Sequence, residues 1–158
     1  MPRSIILTMI GRVAGNVGKG LAAGLVGTAA MTISSTIEAK LRQRESSDAP
    51  AQAASKVLGL EPKDDAAKAR FSNLVHWGYG TSWGAVRGLL GSLGLPAPLG
   101  GLAHLGAIWG SELVMLPRLE VAPPVSEWGG TELAVDGFHH SVYALATSLA
   151  YAWFDRTS

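Results

Sequence analysis

Apolar residues gather in four stretches of this chain, and polar residues gather in one. The first apolar stretch covers about residues 5–40. Its charge-free part, 21–37, is about the minimum length that crosses a bilayer as a helix. Residues 41–70 are polar. A second helix is predicted over 65–91, and the uncharged turn Gly94-Leu95-Pro96-Ala97-Pro98 leads to a third over 99–116, ended by Pro117. Pro117, Pro123 and Pro124 mark an extended connection, with Trp128 as an interfacial anchor. A fourth helix over 129–154 runs out through Tyr151, Trp153 and Phe154 into Asp155 and Arg156. Within the polar loop, Ser46, Ser47 and Asp48 before Pro50 start a short helix over 51–58, ended by Gly59 and lying on the surface or in the membrane interface. Pro62, Asp64 and Asp65 start the next one. The expected fold is all-α. It is a single domain, a polytopic bundle of four transmembrane helices with a short interfacial helix in the loop 41–64.

Helical angles sharpen this picture. At about 100° per residue, Gly20, Gly24, Gly27, Met31 and Glu38 share a narrow stripe of mostly small side chains on the first helix. The Gly20-x-x-x-Gly24 spacing leaves a homo-oligomer open, but close packing within one bundle is the simpler reading. On the fourth helix Glu132, Asp136, His139 and Tyr143 fall on one face, with His140 at its margin. On the second, His76, Gly80, Trp83 and Arg87 form a stripe; on the third, His104, Ser111 and Met115 align, with Glu112 at the edge. A rise of about 1.5 Å per residue puts His76, Glu112, Asp136 and His139 at similar depth in antiparallel neighbours. Glu132 lies nearer the surface. Arg87 and His104 fall beyond the midplane, and Arg87 is expected to snorkel to the interface.

Composition supports the membrane reading. Charged residues are 16% of the chain against 47% hydrophobic, and 20 of 158 residues are Gly. A soluble bundle needs polar faces on most helices, and this chain has too few charges to supply them. Its net charge of +1 gives no footprint for nucleic acid, and the absence of Cys excludes disulfides and thiolate chemistry. The N-terminal residues 1–7 make a poor signal peptide and read as the start of the first helix. Lys40, Arg42, Arg44, Lys56, Lys63, Lys68 and Arg70 place the loop 41–70 on the cytoplasmic side; Arg3, Arg12 and Lys19 pull the other way.

Ionisable groups in a span mark a site by default. The layer of His76, Glu112, Asp136 and His139 has three readings. It is a hydrogen-bonded network that fixes helix register. Or it handles a proton or a small ligand, since imidazole and carboxylate exchange protons near neutral pH. Or it holds a metal or haem, in an enzyme or electron carrier: Asp136-x-x-His139 has the spacing of carboxylate–His pairs in di-metal bundles, and His76 with His139 could be axial haem ligands. Glu132, His140, Tyr143, His104 and Arg87 are peripheral. No hydrolase, nucleotide or zinc-protease motif is present, so no catalytic residue and no resident cofactor is predicted. In His76-Trp77-Gly78-Tyr79-Gly80 the glycines allow close helix approach, and Tyr79 with Trp83 could wall a pocket.

The layout resembles small bacterial inner-membrane proteins of the YagU type, a poorly characterised family linked to acid resistance. What is similar is a Gly/Ala-rich first helix (Gly20-Leu-Ala-Ala-Gly-Leu-Val-Gly-Thr), a long polar loop, a His-bearing second helix (Val75-His76-Trp77-Gly78) and a last helix with a Ser126-Glu127 start and a later His. The resemblance implies a multi-pass protein of the inner membrane with a role in stress or proton physiology. It supplies no catalytic residue.

Overall fold

A computed structural model describes residues 3–45 and 47–157, without the side chain of Arg3. Ser46, one of the predicted helix-start residues, and the Arg3 side chain in the orientation count lie outside the described residues. Five α-helices and one 3₁₀ turn make up the fold, and no strand occurs among the described residues. They are α1 (Arg3–Leu41), α2 (Ala49–Leu58), α3 (Asp65–Ser92), α4 (Ala97–Arg118), the turn Val125–Glu127, and α5 (Gly130–Thr157).

Local chemistry accounts for most boundaries. Pro50 sits in the first turn of α2, where its missing N–H is not needed, and Gly59 closes the helix with φ of 64°. Asp64 caps α3 by accepting from the Ala67 N–H at 2.7 Å. One expectation needs correction. Pro117 does not end the third helix but lies inside the last turn of α4. So close to the end, a proline removes only one intrahelical bond, and the Leu119 N–H still reaches the Met115 carbonyl at 2.9 Å.

Two of the long helices, α1 over Ser4–Leu41 and α4, are long and apolar enough to cross a membrane. The other two, α3 and α5, are 28 residues each but do not reach that hydropathy. Their middles are diluted by Asn73, His76 and Thr81 in α3, and by His139, His140 and Ser141 in α5.

The packing is tightest between α1 and α3. The Gly stripe of α1 meets Gly80, Gly84 and Gly88 of α3, and a Cβ on Gly84 would stand 2.7 Å from the Gly24 Cα. The stripe thus works within one chain, as small residues do where helix backbones touch. The other side of α1 runs along α5, where Gly27 faces Tyr143 and Thr147. Helix α4 completes the bundle against α3 and α5, around a core of Ile108, Tyr143 and Ala144 backed by Met31, Trp83 and Leu105. Across the loop side, α2 packs on α3, and Lys56 Nζ ties it to the α4 end through the Glu120 carbonyl at 3.2 Å.

The distribution of polarity is inverted relative to a water-soluble bundle. Large apolar side chains such as Leu25, Ile33, Leu74, Leu102, Leu145 and Leu149 are exposed, while Thr28, Arg87, His104, His139, His140 and Thr147 are buried.

Candidate functional site

All four histidines are described, and the partner of each fixes which ring nitrogen carries its proton. A carbonyl only accepts, so a ring nitrogen bonded to one must donate. His104 Nε2 therefore donates to the Trp83 carbonyl at 3.0 Å. Thr32 gives its own hydroxyl proton to the Thr28 carbonyl at 2.7 Å, so it accepts from His76 Nε2 at 2.8 Å. By the same logic Ser34 donates to Met31 and accepts from His139 Nδ1 at 2.9 Å. His140 Nδ1 donates to the Asp136 carbonyl one turn below, at 3.0 Å.

That last assignment singles out one place in the molecule. With Nδ1 committed, Nε2 of a neutral His140 is an acceptor. It stands 2.6 Å from Glu112 Oε2, which as a carboxylate is also an acceptor. Two bare acceptors do not sit at that distance, so a proton is held between them. Asp136 completes the group. Its Oδ2 accepts from Trp109 Nε1 at 2.7 Å, and its Oδ1 lies 3.5 Å from His140 Nδ1. Glu112, Asp136 and His140 each offer a ligand atom within 4.8 Å of one another, a nitrogen and two oxygens of a kind that can hold a metal ion.

The expected layer is divided by the fold. Helix α5 packs against both α1 and α4, and its adjacent histidines, about 100° apart around the helix, meet different neighbours. His139 faces α1, with Nε2 at 3.7 Å from Glu38, which is held by Arg42 and Arg44. His140, expected at the margin, is the residue that joins Asp136 and Glu112; the pair in use is Asp136 with His140, not Asp136-x-x-His139. His76 faces Thr32 on another side of α1. The two proposed haem ligands are thus each taken up by a separate α1 hydroxyl and do not confront one another. Angles on one helix order its own residues, but they do not say which neighbour each angle meets.

The peripheral residues fall in place individually. Glu132 is exposed and pairs with Arg42 at 3.6 Å. Tyr143, 1% exposed, donates to the Gly80 carbonyl at 2.5 Å and so bridges α5 to α3. His104 packs against it with the ring planes tilted by 47° and the centroids 5.6 Å apart. Arg87 does not snorkel. It is 2% exposed, donates from Nε to Ser148 at 3.3 Å and lies 4.5 Å over the Tyr151 ring. Gly100 makes this room, since a Cβ there would come within 3.3 Å of Nη1. A stacked ring and a missing side chain keep the guanidinium inside.

Beside Glu112 is an apolar cavity that sequence reasoning did not place. It is a half-open cleft between α2, α3 and α4 with a volume of about 280 Å³, lined by Ala53, Val57, Val75, Tyr79, Glu112 and Met115 among others. Tyr79 walls it as expected. Trp83 does not; it packs against the core of Ile108 and Tyr143. The signal for the cavity was the small face of α2, with Ala51 and Ala53 buried, which leaves a gap where a larger helix face would fill.

No protein-family profile, characterised protein or solved structure matches this chain.

Proposed function

We propose that this is an integral membrane protein in which α1, α3, α4 and α5 cross the bilayer, and that its Glu112–His140 pair holds and exchanges a proton at the base of the apolar cavity. The reading is carried by the 2.6 Å approach of His140 Nε2 to Glu112 Oε2 with Nδ1 already committed. Asp136 and Trp109 act as positioning residues. Asp136 fixes the ring through its backbone carbonyl, and Trp109 fixes Asp136. The membrane part is supported by leucine and isoleucine outside and histidine and threonine inside. Of the polar residues that lower the hydropathy of α3 and α5, His139 and His140 are buried and His76 and Thr81 are half-buried, where they cost less than in lipid, while Asn73 and Ser141 are exposed. A bacterial inner-membrane location, with the loop 41–70 on the cytoplasmic side and a role under acid stress, would follow from the YagU-type layout.

The test is nuclear magnetic resonance of the ligand-free protein in lipid nanodiscs. A strongly deshielded His140 Nε2–H resonance is expected, absent in Glu112→Gln. Its absence from the parent protein would overturn the proton reading; a chain that purifies monomeric without detergent would overturn the membrane reading.

The triad Glu112, Asp136 and His140 favours a second reading, a divalent metal site. The proton fits the geometry better. Two ligands on one zinc, each at about 2.1 Å, lie roughly 3.4 Å apart, so Glu112 and His140 must separate before a metal enters. Elemental analysis decides it. One equivalent of metal in the parent and none in His140→Asn would establish the metal, and a metal-free folded protein would remove it.

A further inference from the structure

Helix α1 outruns the bundle. Asn16 donates from Nδ2 to the Ser92 hydroxyl at 3.1 Å, and Ser92 is the last residue of α3. Lys19 pairs with Asp155, in the last turn of α5, at 3.0 Å. Helix α4 starts at Ala97, just past the turn that follows α3. The bundle therefore ends at the level of Asn16, and residues 4–15 of α1 carry on past it for about 18 Å, at about 1.5 Å per residue. Helix α4, with 22 residues, is about 33 Å long, roughly one hydrocarbon core. The projecting segment stands outside that core, on the face opposite the loop 41–70.

Its surface is not made for water. Ile5, Ile6, Leu7, Met9 and Ile10 are all exposed, Leu7 by 63% and Ile10 by 60%. Around the helix the side chains sort by kind. With Ser4 at 0°, the residues Gly11, Ser4, Gly15, Thr8, Lys19 and Arg12 occupy an arc from roughly −20° to 80°. Ile5, Met9, Val13, Ile6, Ile10 and Leu7 occupy the arc from roughly 100° to 300°. A narrow basic edge and a broad apolar side are the pattern of a helix that lies in the membrane interface. The charge is of one sign, since no Asp or Glu precedes Glu38. Lys19 is taken by Asp155, and Arg12 has no acidic partner among the described residues. Gly11, Gly15 and Gly18 would have nothing within 4 Å of a Cβ, unlike Gly20 and Gly24. Packing within the chain gives no reason for them. Glycine weakens a helix, and here it softens α1 where the segment turns from the bundle axis toward the membrane surface.

We propose that residues 4–15 form a surface arm that lies in the headgroup layer of the bilayer, apolar side down, with Arg12 on the phosphates of anionic lipid. The inference rests on the membrane reading above and adds a lipid partner to it. A second copy of the chain brings the same one-signed segment, with no acid to meet Arg12. Anionic lipid brings the missing counter-charge.

The experiment uses the full chain in nanodiscs of equal parts phosphatidylcholine and phosphatidylglycerol. The chain has no Cys, so a label on one introduced Cys is specific. Nitroxides are placed singly at Ile10→Cys, Thr8→Cys and Leu145→Cys, all exposed positions. The Ile10 label should be shielded from an aqueous nickel chelate and open to oxygen, the Thr8 label open to the chelate, and the Leu145 label deep in lipid. A fluorophore at Ile10→Cys is then compared with one or the other lipid brominated. Brominated phosphatidylglycerol should quench it about two- to fivefold more than brominated phosphatidylcholine, the preference that one arginine near the surface supports. Arg12→Glu, which offsets Arg3, should bring that ratio to about one. The proposal is overturned if the chelate reaches the Ile10 label, if the two lipids quench the parent equally, or if Ile10 labels on two copies show spin–spin contact, which makes a second copy the cover. A Leu145 label in lipid with the Ile10 label in water fails this inference alone; a Leu145 label in water fails the membrane reading beneath it.

Discussion

A Gly84→Leu chain is expected not to keep α1 against α3. The Cβ alone would stand 2.7 Å from the Gly24 Cα and 2.8 Å from its nitrogen, and it would run into the Gly20 carbonyl. Every one of those atoms is backbone, so no rotamer change relieves the clash. The two helices must move apart along the largest interface in the molecule. Overpacking a core with flexible neighbours costs about 1–3 kcal/mol, and this substitution should exceed that range. Gly18→Leu is the matched control, because nothing lies within 4 Å of a Cβ there. Titration of folded protein with sodium dodecyl sulfate checks both. The control should unfold with the parent, and Gly84→Leu should unfold far earlier or fail to purify as a single species. Equal midpoints for Gly84→Leu and parent would refute the packing described for this interface.

The second large effect is non-additive. Glu112→Leu leaves His140, 3% exposed, facing a space that no longer offers a carboxylate. Breaking a buried ionic pair by removing one partner costs about 3–5 kcal/mol. The lower end is expected here, because the Glu112 side chain keeps 18% of its surface. His140→Phe alone strands the carboxylate and costs a similar amount. The double variant Glu112→Leu/His140→Phe should return to within about 1 kcal/mol of the parent, since apolar groups of similar volume replace buried pairs well. A double-mutant cycle on unfolding free energies reads the coupling directly. Simple additivity of the two losses would mean that the pair does not share a proton or a charge.

The elements were legible in the sequence because their signals are local. Asp64, Gly59 and Pro50 act within one turn of themselves, and each marks a real boundary. The Gly stripe of α1 was legible as a packing face, though nothing within α1 named Gly80, Gly84 and Gly88 as what it meets. Pro117 misled because the rule against proline weakens in a last turn. Glu112 and Asp136 were legible as ionisable residues on two different helices, and what brings them together was not. Glu112 and Asp136 do meet, but through His140. His139 was favoured because it shared the Asp136–Tyr143 face, on the premise of one interior side. Helix α5 has two, one toward α1 and one toward α4. Arg87 misled for a related reason. A charge without a carboxylate at its depth was expected to reach for water, and the sequence holds no sign that Gly100 and Tyr151 converge to house it.

The neighbouring rings of His139 and His140 have a mechanical consequence. They are one peptide bond apart, and they are bonded to different helices, one to Ser34 of α1 and the other to Glu112 of α4. Turning α5 about its long axis sweeps both rings in the same sense, so it cannot improve one contact without degrading the other. The azimuth of α5 is thus pinned twice at a single level, like a shaft with two keys cut side by side. Sliding along the axis is resisted in the same way, because Ser34 and Glu112 sit on separate helices that would have to slide with it.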